Sequence, residues 1–301
     1  MAETIRLLIT DLDNTLYDWL SSFVPAFYAM ITVAAEILSV DREQLLDEMK
    51  AVHQRHHNSE RPFALLETVT VTSRYPQLTP LARKNLLEEA FTEFNSVRRA
   101  NLKLYPGVRE TLKAIRQTGC LIVAHTEAAA ENSMHRLELL DLIEDIGCLY
   151  APRSKSPGHP DPKKPGIEER YRGMLYLLPS DHRKPSPEVL RDICARHGVS
   201  VEETLYVGDS LPRDIAMAKG AGALAAWARY GARRDSQLWQ RLVRVTHWTE
   251  ADVAHEKQLQ DETKNVQPDV IVDSFAELSV TCRFEGVSAS AFPQTFAASC
   301  G

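Results

Sequence analysis

Two acids stand two positions apart in the run Asp11, Leu12, Asp13, Asn14 and Thr15. On an irregular loop such a pair can converge on one centre, one carboxylate attacking while the other gives and takes a proton. Asp, Asn and Thr also favour turns, so the run alone is only moderately specific. A second acidic segment opens at Gly208 and carries Asp209 and Asp214. Its glycine permits tight backbone geometry and its acids add oxygen ligands, although Asp209 alone could equally cap a helix. Four acids gathered at one mouth repel each other. A divalent cation relieves that repulsion, and magnesium prefers such oxygen donors together with water and a phosphate. Lys184, just before Pro185, Ser186 and Pro187, could neutralise a phosphate and hold a nucleophilic carboxylate, whereas most single lysines simply stand in solvent. Thr126, at the end of an apolar run, could grip a phosphate oxygen or cap a helix.

These residues need elements that bring them together. Residues 4–10 are apolar and rich in branched side chains, as in a buried strand that delivers Asp11 from its C-terminal end. Further strands are expected at 120–124, 204–207, 223–228 and 270–272, with helices at 108–117, 132–142, 186–197 and 213–219. Strands alternating with helices predict an α/β chain: a Rossmann-like, doubly wound parallel sheet that binds ligands beyond the carboxyl ends of its strands. Residues 24–38 and 81–97 carry apolar positions at helical spacing with few strand signals between them, which predicts a second, smaller, all-helical domain. Tyr105, Pro106 and Gly107 punctuate the return. The expected division is a discontinuous core of residues 1–17 and 105–285, a helical insert at 18–104, and a flexible tail at 286–301 rich in small residues.

Residues 152–184, rich in Pro, Lys and Gly, read as a long loop. His53, Arg55, His56 and His57, with Arg61 nearby, read most simply as a solvated helix end; alternatively they meet the polar end of a ligand. Trp19 and Phe23 are expected to pack where the insert leaves the core, and Trp227, Trp239 and Trp248 to serve packing.

At 301 residues, with 44% hydrophobic and 25% charged, the chain can bury the core of more than one domain. A net charge of −6 disfavours nucleic acid and anionic membranes as partners. Five scattered cysteines without a CxxC pair argue against a disulfide framework or structural zinc and suit a reducing compartment. With no secretory leader and no apolar stretch of bilayer-spanning length apparent, a cytoplasmic location is expected.

Taken in order, the four segments resemble the motifs of the haloacid dehalogenase superfamily, over most of the chain from residue 4 to about 278. The first motif is similar to residues 11–15, the second ends in a residue like Thr126, the third supplies Lys184, and the fourth is similar to 208–214. The resemblance implies a phosphomonoester hydrolase with a helical C1-type cap, acting on a small phosphorylated metabolite. By the same resemblance Asp11 attacks phosphorus and forms an aspartyl-phosphate, while Asp13 protonates the leaving oxygen and then activates water. Thr126 and Lys184 bind the transferring group, with Thr15 beside them. Mg²⁺ sits on Asp11, Asp209 and the backbone carbonyl of Asp13, with Asp214 assisting. Asp13 argues against the dehalogenase and phosphonate-cleaving branches, which lack an acid there. A sugar-phosphate mutase, or a non-catalytic phospho-ligand-binding module on the same fold, are the alternatives. Many relatives carry Asn or Gly after the second-motif Thr; Glu127 stands here and must turn away or cap the next helix. A homodimer formed through the cap or through residues 152–184 is compatible with the sequence.

Overall fold

The run Leu7–Thr10 is buried along its whole length, as the central strand of a covered parallel sheet must be. The computed structural model describes residues 4–153, 160–161, 166–179 and 182–287. Its strands are Thr4–Ile5 (β1), Leu7–Thr10 (β2), Leu121–His125 (β3), Cys148–Pro152 (β4), Leu175–Leu178 (β5), Thr204–Gly208 (β6), Leu224–Ala228 (β7), Val270–Val272 (β8) and Arg283–Phe284 (β9). Seven form one sheet in the order β5-β4-β3-β2-β6-β7-β8, every pairing parallel, while β1 pairs with β9. The chain winds outward from β2 through β3, β4 and β5, then returns to β6 on the other side of β2. That reversal leaves a crevice at the carboxyl end of β2, where open sheets of this kind bind ligands.

Between β2 and β3 lie Trp19–Leu38 (α1), Arg42–His56 (α2), Val69–Arg74 (α3), Pro80–Leu86 (α4) and Glu88–Asn101 (α5). Side-chain caps start three of them: Asp18 accepts from the Ser21 N–H at 2.9 Å, Asp41 from Glu43 at 2.8 Å, and Thr79 from Ala82 at 3.2 Å. The helices enclose an apolar cluster of their own, including Phe23, Phe27, Ile31, Leu45, Met49, Val52 and Ala90. Each large side chain buried in it contributes roughly 1.5–3 kcal/mol.

The sheet is flanked by Val108–Gln117 (α6), Ala130–Leu139 (α7), Ile167–Arg170 (α8), Pro187–Arg196 (α9), Ala216–Ala221 (α10), Glu250–Thr263 (α12) and Leu278–Thr281 (α13), while Ser236–Val245 (α11) packs against α1 and α2. Two apolar clusters cover its opposite faces, one with Leu8, Leu112, Ile122 and Leu137, the other with Ile9, Val123, Leu190 and Ile193.

Several expectations are corrected here. The segment 152–184 contains an edge strand, β5, and the short helix α8, so it is not simply a loop; residues 154–159, 162–165 and 180–181 lie outside the described residues. Helix α1, twenty residues with mean hydropathy 1.5, does reach bilayer-spanning length and apolarity. Its Leu20, Phe23, Phe27, Ile31 and Leu38 are spent on the helical cluster. Helix α11, beyond β7, sends Leu242 and Val245 into that same cluster. The tail is described only as far as residue 287.

His53 also departs from the solvated reading. It is 1% exposed, and its Nδ1 lies 2.7 Å from the Val245 carbonyl at the end of α11, which identifies Nδ1 as the protonated nitrogen. Burial pushes its pKa down from 6.5 to about 4, against the raising effect of that carbonyl. The folded ring therefore resists a proton that the unfolded chain accepts below pH 6.5. Its contribution is fully present above that pH and is lost as pH falls toward 4, amounting to about 3 kcal/mol. Urea unfolding at pH 7 and 4.5 should show this loss in the wild type and a flatter dependence in His53→Gln. Identical slopes would remove His53 from the acid response.

Candidate active site

Parallel register sets the site. Thr10 pairs with Ala124 on one side and Val207 on the other, so Asp11, Thr126 and Asp209 leave neighbouring strand ends. Beyond β2 the chain turns sharply: Asn14 adopts φ 60, which Asn tolerates, and its N–H reaches back to the Tyr17 carbonyl at 2.8 Å. Thr15 Oγ1 donates to Asp11 Oδ2 at 3.3 Å. The loop after β7 closes on this turn. Tyr230 Oη donates to the Thr15 carbonyl at 2.6 Å, and Gly231 approaches so closely that a β-carbon there would lie 1.7 Å from the Asn14 carbonyl oxygen.

Lys184 is the hub. Delivered just ahead of α9, its buried ammonium donates to Asp11 Oδ1 and, at 2.8 Å, to Asp214 Oδ1. Burial alone works against this ammonium, but Asp11 and then Asp214 outweigh it and hold its pKa well above the ordinary lysine value. Asp214 sits in a π-helical turn, Leu211–Ile215, and accepts also from Tyr206 Oη at 3.3 Å and from the Ser210 N–H at 3.0 Å. Only glycine fits at 208, since a β-carbon would fall 2.3 Å from the Asp214 carboxyl carbon. Tyr206 and His125 form a floor beneath Lys184. The two rings meet edge to face, with Tyr206 Oη 3.4 Å from His125 Nδ1. Burial, then Lys184, holds His125 neutral, well below its usual pKa. Neither residue was singled out from sequence; a tyrosine and a histidine inside apolar strands were the only signal.

One carboxylate oxygen from each of Asp11, Asp209 and Asp214 lies within 4.8 Å of the others. Three carboxylates against one ammonium leave the cluster short of positive charge. The Asp209 carboxyl accepts no hydrogen bond among the described residues, and burial, then Asp214, pushes its pKa up to about 7. An all-oxygen donor set with an uncommitted, buried carboxylate fits a hard divalent cation. Asp214, by contrast, spends both oxygens on Lys184, Tyr206 and Ser210.

Asp13 pairs with a different cation. Arg136, on α7, donates from Nη1 to both of its oxygens, at 2.9 and 3.2 Å. This arginine is fully buried and was not anticipated. Thr126 accepts the Ala128 N–H at 3.1 Å through Oγ1, leaving its hydroxyl proton to donate. Glu127 turns away, its carboxylate paired at 2.5 Å with Arg213, which also holds Glu256. The crevice is thereby spared an unpaired acid next to Thr126.

The family model for haloacid dehalogenase-like hydrolases matches residues 5–222, which contain every one of these groups except the loop after β7 and Glu256. The chain belongs to the haloacid dehalogenase-like hydrolases. A second model of this superfamily, HAD-hydrolase-like, matches residues 182–278. Among characterised relatives, glyceraldehyde 3-phosphate phosphatase of Methanopyrus kandleri is 26% identical over 240 residues, covering 77% of this chain and 88% of the relative. The fold is shared with a 2-haloacid dehalogenase of Pseudomonas syringae pv. Tomato, at TM-score 0.55 and 18% identity over 92% of this chain and 98% of that one. It is shared also with a HAD phosphatase of Thermococcus onnurineus, at TM-score 0.52 and 17% identity over 94% and 100% of the two chains.

Proposed function

We propose that this hydrolase is a Mg²⁺-dependent phosphomonoesterase for a small phosphorylated metabolite, working through an aspartyl-phosphate on Asp11. The observation that carries this reading is the buried Asp11–Lys184–Asp214 chain beside the uncommitted Asp209 carboxylate. Burial, then Asp214 and Asp209, push the Asp11 pKa up; Lys184 opposes them and orients the carboxylate, while oxygen donors remain for a cation. Asp11, Asp209 and the Asp13 carbonyl would hold Mg²⁺, with Asp214 in support; when bound, the ion supplies charge compensation for the phosphoryl oxygens.

The residues of the chain divide the work. Asp11 forms the new bond to phosphorus as the ester bond breaks. Lys184 and the Thr126 hydroxyl bind phosphoryl oxygens, and Thr15 steadies the second Asp11 oxygen. Asp13 gives its proton to the departing oxygen, then takes one from the water that opens the aspartyl-phosphate. Asp13 also separates this reading from dehalogenation, which needs no acid to protonate a departing halide. Residues 18–104 act as a cap that narrows access and so favours small esters. The name of the Methanopyrus relative makes triose phosphates the first esters to try.

Phosphate release from a panel of small esters should require Mg²⁺ and stop with EDTA, returning when the metal is restored. Release that persists in EDTA would sink the metal-dependent reading. A sugar phosphate isomerised without phosphate release would favour a mutase instead.

A further inference from the structure

Arg136 is 2% exposed, yet it is a full cation on the inward stripe of α7, between Ser133 and Leu137. Its two terminal nitrogens serve different domains. Nη1 donates to both oxygens of Asp13, at 2.9 and 3.2 Å, while Nη2 donates to Glu60. Glu60 lies in the loop that follows α2 in the helical insert. That loop is gripped from α7 a second time, the Asn132 side chain donating to the Glu60 carbonyl at 3.1 Å. On its other side Ser59 meets His247 at 2.8 Å and Thr246 at 3.1 Å, just beyond α11.

A buried ion triad is a poor source of stability, because apolar side chains of the same volume commonly do as well. What it does provide is direction. A guanidinium is a rigid plane, so fixing Nη2 against Glu60 fixes the line along which Nη1 meets Asp13. We infer that Arg136 is a positioning residue for Asp13, and that Glu60 makes this positioning depend on the seated cap loop. The inference rests on the reading of Asp13 as proton donor to the leaving oxygen. In that step the Asp13 proton passes to the ester oxygen as its bond to phosphorus breaks and the Asp11 oxygen bonds to phosphorus; Arg136 keeps all its protons. Lifting the loop removes Glu60 and frees the guanidinium to rotate, so an ester not enclosed by the cap meets a poorly aimed acid.

The dependence is readable through the leaving group. A nitrophenolate departs without protonation, whereas an alkoxide needs the proton that Asp13 supplies. With Mg²⁺ and the full chain, alcohol release in the first turnover, which precedes the water step shared by all esters, would be compared on p-nitrophenyl phosphate and on the alkyl ester that the wild type hydrolyses best. Arg136→Met should lower this first-turnover rate on the alkyl ester by about 10²-fold and on the aryl ester by less than about 5-fold. Arg136→Lys should recover part of the alkyl activity. Glu60→Gln, which keeps an acceptor for Nη2, should show the same selectivity at roughly 5- to 10-fold, and it carries the test if Arg136→Met does not fold. Equal losses on both esters in these variants would reduce Arg136 and Glu60 to structural residues and overturn the inference. Asp13→Asn tests the reading beneath it. If that variant slows first-turnover release from both esters equally, Asp13 is not the leaving-group acid and both readings fall. If it spares the aryl ester while Arg136→Met and Glu60→Gln do not, only the inference about positioning fails.

Discussion

Asp11→Asn is expected to reduce phosphate release by at least about 10⁴-fold while leaving the protein folded. The amide is nearly the same shape as the carboxylate: its oxygen can accept from Lys184 while its NH₂ donates to Thr15 Oγ1, and Lys184 retains Asp214 at 2.8 Å. What disappears is the anionic oxygen that must bond to phosphorus. The fold should survive, and without metal it should even gain, because Asp11 belongs to a group of three carboxylates within 4.8 Å that share a single ammonium. Removing one negative charge relieves repulsion on Asp209, which has no hydrogen-bond donor of its own among the described residues. Thermal unfolding in EDTA should thus place the variant at or slightly above the wild type, while Mg²⁺ should stabilise the wild type more than the variant. A variant that folds but keeps a tenth of the wild-type rate would remove Asp11 as the nucleophile. A variant that unfolds in EDTA would show that the Asp11–Lys184 pair holds the strand ends together as well as arming the site.

Much of this centre was legible because it sits where chain chemistry changes abruptly. Branched apolar runs end in acids at residue 11 and after Gly208, and a parallel sheet has to collect such strand ends on one edge. Lys184 was readable only in company, since nothing local distinguishes it from a surface lysine; the buried pairing with Asp11 comes from residues 173 positions away. Arg136 was missed for the same reason, its Asp13 partner being 123 positions distant. A signal did exist: Ser133, Arg136 and Leu137 share the buried stripe of α7, and a cation on such a stripe requires a buried anion. His53 shows the converse error. A cluster of basic residues near a helix end suggested solvent, but α11 arrives from beyond β7 to cover His53 with the Val245 carbonyl. Strand β5 was hidden by composition, its four apolar residues surrounded by Pro, Lys and Gly. Helix α12 offers only Leu259 to the interior, too little for an apolar period to stand out.

Lys184→Met should damage rate and stability together, and the two losses have separable causes. Methionine fills much of the aliphatic stem's space but removes the ammonium that joins Asp11 to Asp214. Two carboxylates then remain buried and unpaired, at a cost of about 3–5 kcal/mol. Catalytically, the phosphoryl oxygens lose a fixed positive charge and Asp11 loses its orientation, together worth roughly 10²- to 10³-fold in kcat. Adding Asp214→Asn distinguishes the two. The double variant discards one stranded anion, so urea unfolding should show it more stable than Lys184→Met alone. Its kcat should stay low, because no cation has been returned to the phosphate. Recovery of stability without rate would assign Lys184 two roles, neutralising the acids beneath the site and binding the ester above them. If both recover together, the catalytic loss was only a consequence of disorder around the unpaired acids, and the ammonium's contact with the phosphate would no longer be needed to explain it.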